Sequence, residues 1–200
     1  MARLGLYGGT FDPVHLGHLL VAQAAIEELS LDRLFFIPAT QSPFKPEFKP
    51  ASAALRIRML RLALAGQERV EVDEQETLRG GISYSIDTVR DYVARFPGAE
   101  LFWLIGADHV GSLPRWREAE QLAQLAEFVV IPRPGSSPAS LPAPYRLREL
   151  RGFPLSLSSS EIRSRVGAGR AIRHLVPAAV AEVIPAEGLY RASPAIRPQC

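Results

Sequence analysis

The residues best suited to chemistry stand near the start of the chain, in the segment LGLYGGTFDPVHLGHL at residues 4–19. Gly8 and Gly9 let a phosphate chain come close to the backbone, and Thr10 adds a hydroxyl donor. Asp12 and Pro13 make a turn. His15 and His18 follow, flanking Gly17 at a spacing of i and i+3. On a helix or its lead-in turn, that spacing points both imidazoles the same way, where they can donate to phosphate oxygens. The segment is neither a GxGxxG dinucleotide fingerprint nor a G-K-[ST] phosphate loop. Zinc is a rival reading for a histidine pair, but no third ligand is evident. So is a loop with two satisfied histidines.

Further polar clusters recur along the chain. Ser158 and Glu161 form an S-x-x-E pattern at a helix start, with Ser160 and Arg163 close by. The free N–H groups of such a start, two hydroxyls and a guanidinium would hold an anion, although an ordinary capped helix reads the same. Ser83, Tyr84, Ser85 and Thr88 cluster at another helix start. Gly106 and Asp108 follow the most apolar run, and Trp116, beyond them, offers a flat face for stacking or simply a core side chain. Lys45 lies in a loop rich in proline, where a lysine is a point charge for a phosphate or merely solvated.

The elements that must position these residues alternate. Apolar runs at 3–7, 34–37, 70–72, 101–105, 128–131 and 155–157 predict strands. Helical patterns are expected over 17–29, 53–65, 86–96, 117–125, 158–166 and 177–184, with Ser52 and Ser85 as N-caps of the second and third. Strands that alternate with helices and read as continuous apolar runs predict an α/β, doubly wound, Rossmann-like parallel sheet with helices on both faces, and a small C-terminal helical part. Ligands bind such sheets beyond the carboxyl ends of the strands, where the clusters at residues 8–18, 45, 83–85 and 106–108 fall. Residues 1–192 are expected to form one domain, residues 193–200 an unstructured tail, and residues 132–144, rich in Pro, Ser and Gly, a surface loop.

The chain has 200 residues with 23 basic and 21 acidic side chains, a net charge of +2. The basic residues are scattered, so a nucleic-acid partner is not expected. No run is long and apolar enough for a membrane span, and no signal peptide is read at the N-terminus. The lone cysteine, Cys200, forms no internal disulfide, in keeping with a reducing, cytoplasmic location. The oligomeric state stays open, a homo-oligomer included.

GGTFDPVHLGH resembles the (H/T)xGH signature of the nucleotidyltransferase superfamily, in the form found in bacterial nicotinate-nucleotide adenylyltransferases. LSSSEIRSR resembles the superfamily's second signature, ISSTxIRxR, with Leu157 for Ile and Ser160 for Thr. SYSIDT at 83–88 is similar to the family's SYTIDT, and GAD at 106–108 with Leu113 and Trp116 to its GADxxxxLxxW. Ser42-Pro43-Phe44-Lys45 stands where the family has PPHK, Phe44 replacing its histidine. The C-terminal stretch from Leu175 to Tyr190 also matches, and is read as packing.

The resemblance implies adenylyl transfer from ATP to nicotinate mononucleotide, with Mg²⁺ accompanying ATP and no dedicated protein metal site. His18 and His15 would be the catalytic pair. Gly8, Gly9, Thr10, Lys45, Gly106, Asp108, Ser160 and Arg163 would join them in holding ATP. Asp12, Ser83, Tyr84, Ser85, Thr88 and Trp116 would hold nicotinate mononucleotide. Nicotinamide mononucleotide and phosphopantetheine are rival acceptors. A dinucleotide-binding oxidoreductase and a non-catalytic nucleotide sensor are rivals of other classes.

Overall fold

The computed structural model describes residues 1–43, 47–133, 140–153 and 155–191. Six strands run parallel in one sheet: β1 (Arg3–Gly9), β2 (Arg33–Pro38), β3 (Val70–Val72), β4 (Glu100–Gly106), β5 (Glu127–Ile131) and β6 (Leu147–Glu149). Their order is β3-β2-β1-β4-β5-β6. The chain thus winds outward to one side of β1 and then, from β4, to the other. This reversal leaves a crevice beyond the strand ends at β1 and β4, where doubly wound sheets bind ligands.

Period-two alternation divides the apolar side chains between the faces. Tyr7, Leu34, Phe36, Phe102, Leu104 and Val129 join one core. It is covered by α1 (Leu16–Glu28), α2 (Ala53–Leu64), α7 (Ser159–Gly167) and α8 (Ala178–Ala186). Leu4, Leu6, Phe35, Ile37, Leu101, Trp103, Ile105, Phe128 and Val130 join the other. That face is covered by α4 (Ser85–Arg95), α5 (Ala107–Val110) and α6 (Ala119–Leu125). The central strands β1, β2, β4 and β5 are apolar on both sides because both sides are buried. The C-terminal helical part is α7 with α8, and it packs into the first core.

Several elements differ from the sequence expectation, the short helix α5 among them. The last strand is Leu147–Glu149 rather than 155–157, which forms no strand. β6 is a three-residue edge strand with two exposed polar residues, so no apolar run marks it. A short helix, α3 (Gln75–Arg79), precedes the Gly80-Gly81 turn, and its five residues are too few to show a helical period. Ser85 is the first residue of α4, and Tyr84 holds the N-cap position. Ser52 does cap α2, its hydroxyl accepting from Leu55 N–H at 3.3 Å. Residues 134–139 of the expected surface loop, and 192–200, lie outside the described residues.

Candidate active site

A cleft of about 1000 Å³ opens beyond the carboxyl ends of the strands. Its floor is the β1–α1 connection. Gly8 and Gly9 end β1, and both stand where aromatic rings approach the backbone closely. A Cβ on Gly8 would stand 3.0 Å from the Trp103 ring, and one on Gly9 3.0 Å from the Phe11 ring. Phe11 takes a left-handed backbone at φ 49°, uncommon for an aromatic residue. Its ring packs edge-on against His18, 5.0 Å between centroids, and against Tyr7 at 5.4 Å.

His15 is the N-cap of α1 and His18 lies in its first turn. Their rings stack 3.7 Å apart at 24°. The backbone N–H of His15 donates to His18 Nδ1 at 3.1 Å. That bond assigns the His18 tautomer, because an accepting Nδ1 leaves the proton of the neutral ring on Nε2. Burial, then His15 and Arg133, push the His18 pKa well below its ordinary value. Burial, then Arg133, push His15 down to about 4. Both rings are therefore neutral hydrogen-bonding groups near pH 7. His15 Nδ1 is buried and, among the described residues, has no hydrogen-bond partner. Gly17 is the residue that admits the His15 ring, since a Cβ there would stand 3.0 Å from its Nδ1 and Cε1.

α7 closes one side of the cleft. The Ser158 hydroxyl accepts from Glu161 N–H at 3.2 Å, and Ser159 Oγ donates to the Pro13 carbonyl at 2.9 Å, fastening α7 to the histidine loop. Arg163 donates to the Asp12 carbonyl at 2.6 Å and to Ser160 Oγ at 3.2 Å, and its guanidinium lies 4.6 Å from the Phe48 ring centroid. Ser160 and Arg163 thus stand side by side at a helix start that faces the cleft.

β4 and the segment after it form another side. Gly106 is small because Asp108 occupies its Cβ side, where a Cβ would collide with Asp108 Oδ1. Asp108 pairs with Arg133 at 3.3 Å. Trp116 lines the cleft while its Nε1 donates to Ser112 Oγ at 3.2 Å. Opposite, Ser83, Tyr84 and Ser85 lead into α4. Ser83 Oγ accepts from Thr40 N–H at 3.0 Å.

The cleft therefore brings together Gly8, Gly9, Thr10, Asp12, His15, His18, Ser83, Tyr84, Ser85, Gly106, Asp108, Trp116, Ser160 and Arg163. Lys45 and Phe44 lie outside the described residues. Two expected acceptor contacts are corrected. Thr88 is fully buried and donates to Glu76 Oε1 at 2.6 Å, so it braces the cleft wall from behind. The Asp12 carboxylate is buried and engaged with the protein itself: Oδ1 accepts from Tyr190 O–H at 2.6 Å and Ala51 N–H at 3.2 Å. It ties the histidine loop to residue 51 and to Tyr190.

Cleft residues that the sequence reading missed are Glu76, Trp103, Arg117 and Arg133. Arg133 follows Pro132 at the carboxyl end of β5, and that position alone could have marked it. Trp103 alternates with core residues on β4. Glu76 sits on α3, and its carboxyl is raised from the ordinary value, chiefly by burial. Among the described residues no group of three or more His, Cys, Asp or Glu side chains is placed to hold a metal ion, and no helix is long and apolar enough to cross a membrane.

Comparison with known proteins identifies the family. The profile of the cytidylyltransferase-like family matches residues 6–165. Three relatives carry the name probable nicotinate-nucleotide adenylyltransferase. That of Opitutus terrae is 41% identical over 96% of this chain and 99% of its own, and that of Shouchella clausii 43% over 95% and 97%. That of Gemmatimonas aurantiaca is 45% identical over 96% and 94%. Among solved structures, Plasmodium falciparum nicotinic acid mononucleotide adenylyltransferase complexed with NaAD superposes with a TM-score of 0.75. It covers 95% of this chain and 98% of its own, at 17% identity, and so shows a shared fold. The chain belongs to the cytidylyltransferase-like family and, within it, to the nicotinate-nucleotide adenylyltransferases.

Proposed function

We infer that this protein transfers the adenylyl group of ATP to nicotinate mononucleotide, forming deamido-NAD and pyrophosphate in NAD biosynthesis. The observation that carries the reading is the histidine pair. Two neutral, stacked imidazoles lie on the cleft floor, and the Nε2–H of one is set by a backbone bond to its Nδ1. Such a group donates to a phosphate oxygen without having to lose or gain a proton. The buried, unpartnered His15 Nδ1 fits a site whose hydrogen bonding is completed on binding.

The nucleophile is the 5′-phosphate of the acceptor, already an anion at neutral pH. No strong base and no covalent intermediate are needed, and catalysis is positioning plus charge stabilisation. The acceptor phosphate forms a bond to the α-phosphorus as the bond to the bridging oxygen of pyrophosphate breaks. His18 stabilises the α-phosphate charge. His15, Thr10, Ser160, Arg163 and Lys45 hold the triphosphate, Gly8 and Gly9 admit it, and Gly106 with Asp108 take the nucleoside. Tyr84, Ser83, Ser85 and Trp116 receive the pyridine mononucleotide, whose cationic ring suits an aromatic face.

Mg²⁺ accompanying ATP would be held mostly by phosphate oxygens and water and would supply screening of the triphosphate charge. In this reading the protein acts in the cytoplasm, and residues 1–192 work as one nucleotidyltransferase domain. The test is pyrophosphate release from ATP with nicotinate mononucleotide, nicotinamide mononucleotide and phosphopantetheine offered in parallel. Release dependent on nicotinate mononucleotide supports the reading, and release with another acceptor alone overturns the choice of acceptor.

A further inference from the structure

Nicotinate and nicotinamide mononucleotide differ only in a carboxylate against an amide, and the acceptor end of the cleft holds a cation suited to tell them apart. Arg117 follows Trp116 and lines the cleft with it. Its guanidinium lies 4.8 Å from the centroid of the Tyr84 ring, the residue that caps α4. Asp87 and Glu118 stand 3.6 and 3.7 Å from it. Both distances exceed hydrogen-bond length, so these carboxylates orient the charge without occupying the planar fork. Glu118 is itself drawn to Arg90, whose Nη1 stands 3.3 Å from its Oε1. It also takes a left-handed backbone at φ 51°, a conformation uncommon for a non-glycine residue. Glu118 is the N-cap of α6, so Arg117 stands at the entry into that helix.

From this arrangement we propose that Arg117 is a specificity-determining residue that selects a pyridine acid over the corresponding amide. This rests on the acceptor reading given above. A guanidinium presents donors only. A carboxylate meets it with two acceptor oxygens and a full charge, in a matching bidentate geometry. An amide offers one oxygen and sets its own NH₂ donors against the fork. Trp116 and Tyr84 line the cleft beside Arg117 and offer aromatic faces to the acceptor ring, and Arg117 reads the substituent that the ring carries. The side chain is 52% exposed, so water tempers the selection rather than abolishing it.

The experiment compares wild type, Arg117→Gln and Arg117→Lys. It measures kcat/KM for nicotinate and nicotinamide mononucleotide, the KM for ATP, and equilibrium binding of each mononucleotide without ATP. In Arg117→Gln the acid-to-amide ratio of kcat/KM should fall about tenfold or more, mainly through a higher KM for the acid, with the KM for ATP unchanged. Arg117→Lys, which keeps the charge and loses the fork, should fall between the two, and carries the test alone if the glutamine variant does not fold. A ratio within about twofold of wild type in both variants, even with both activities reduced, overturns the proposal, because a merely structural arginine moves both acceptors together. Absence of wild-type turnover would defeat the adenylyl-transfer reading. The binding ratio then still decides Arg117: a selective loss of acid binding supports it, and parallel or no loss overturns it.

Discussion

At the scale of the residue, the protein prepares a neutral imidazole rather than an imidazolium. The His15 N–H takes the Nδ1 lone pair of His18, and burial disfavours the charged form, so Nε2–H is the available donor. In the proposed mechanism, replacing His18 with alanine removes that donor from a charge that develops in the transition state. We expect kcat for pyrophosphate release to fall about 100- to 1000-fold, the loss typical of one such donor, with the far-ultraviolet circular dichroism unchanged. Near-normal turnover would sink the role given to His18. The depressed pKa of His15 also links stability to pH. In the unfolded chain it titrates near 6.5, and in the fold near 4. As pH falls from 6.5 towards 4 the unfolded chain binds a proton that the fold refuses, so stability is full above that window and drops within it. The loss from His15 reaches roughly 3 kcal/mol by pH 4. Denaturant midpoints from pH 7 to 4.5 should therefore fall more steeply in wild type than in His15→Gln, and equal slopes would refute the linkage.

At the scale of the element, the cleft depends on three segments being tied at one carboxylate. Asp12 receives Tyr190 O–H from the chain end beyond α8 and Ala51 N–H from the turn before α2, while its carbonyl receives Arg163 of α7. Arg56, buried in α2, adds bonds to the carbonyls of Thr10 at 2.7 Å and Ala51 at 3.0 Å. Tyr190→Phe deletes one donor to a buried carboxylate while keeping the ring. It should cost about 2 kcal/mol in denaturant unfolding, and an unchanged midpoint would show that the tie does not matter. Here the limits of the sequence are physical. Ser52 and Ser158 were legible because a capping hydroxyl is a local signal. The roles of Asp12 and Thr88 were not, because they are set by partners 178 and 12 residues away, and a carboxylate or hydroxyl in a motif looks the same whether it meets a ligand or the protein. β6 escaped because a short edge strand carries polar residues.

At the scale of the whole molecule, the alternation of strand and helix was enough to give a parallel sheet covered on both faces, since strands buried on two sides must be apolar throughout. The same pattern places the cleft, because the strand order reverses beside β1 and the polar clusters collect at the carboxyl ends there. What the pattern could not give is which cations complete the cleft: Arg117 and Arg133 are ordinary surface arginines until the fold brings them beside Tyr84 and Asp108. The account treats this cleft as a place where two nucleotides meet at the α-phosphorus of ATP. Its most direct test follows that atom. With ATP labelled at the α-phosphorus and nicotinate mononucleotide present, the label should appear in deamido-NAD, in equal amount to the pyrophosphate released. Label appearing in AMP, or pyrophosphate release indifferent to the acceptor, would contradict it.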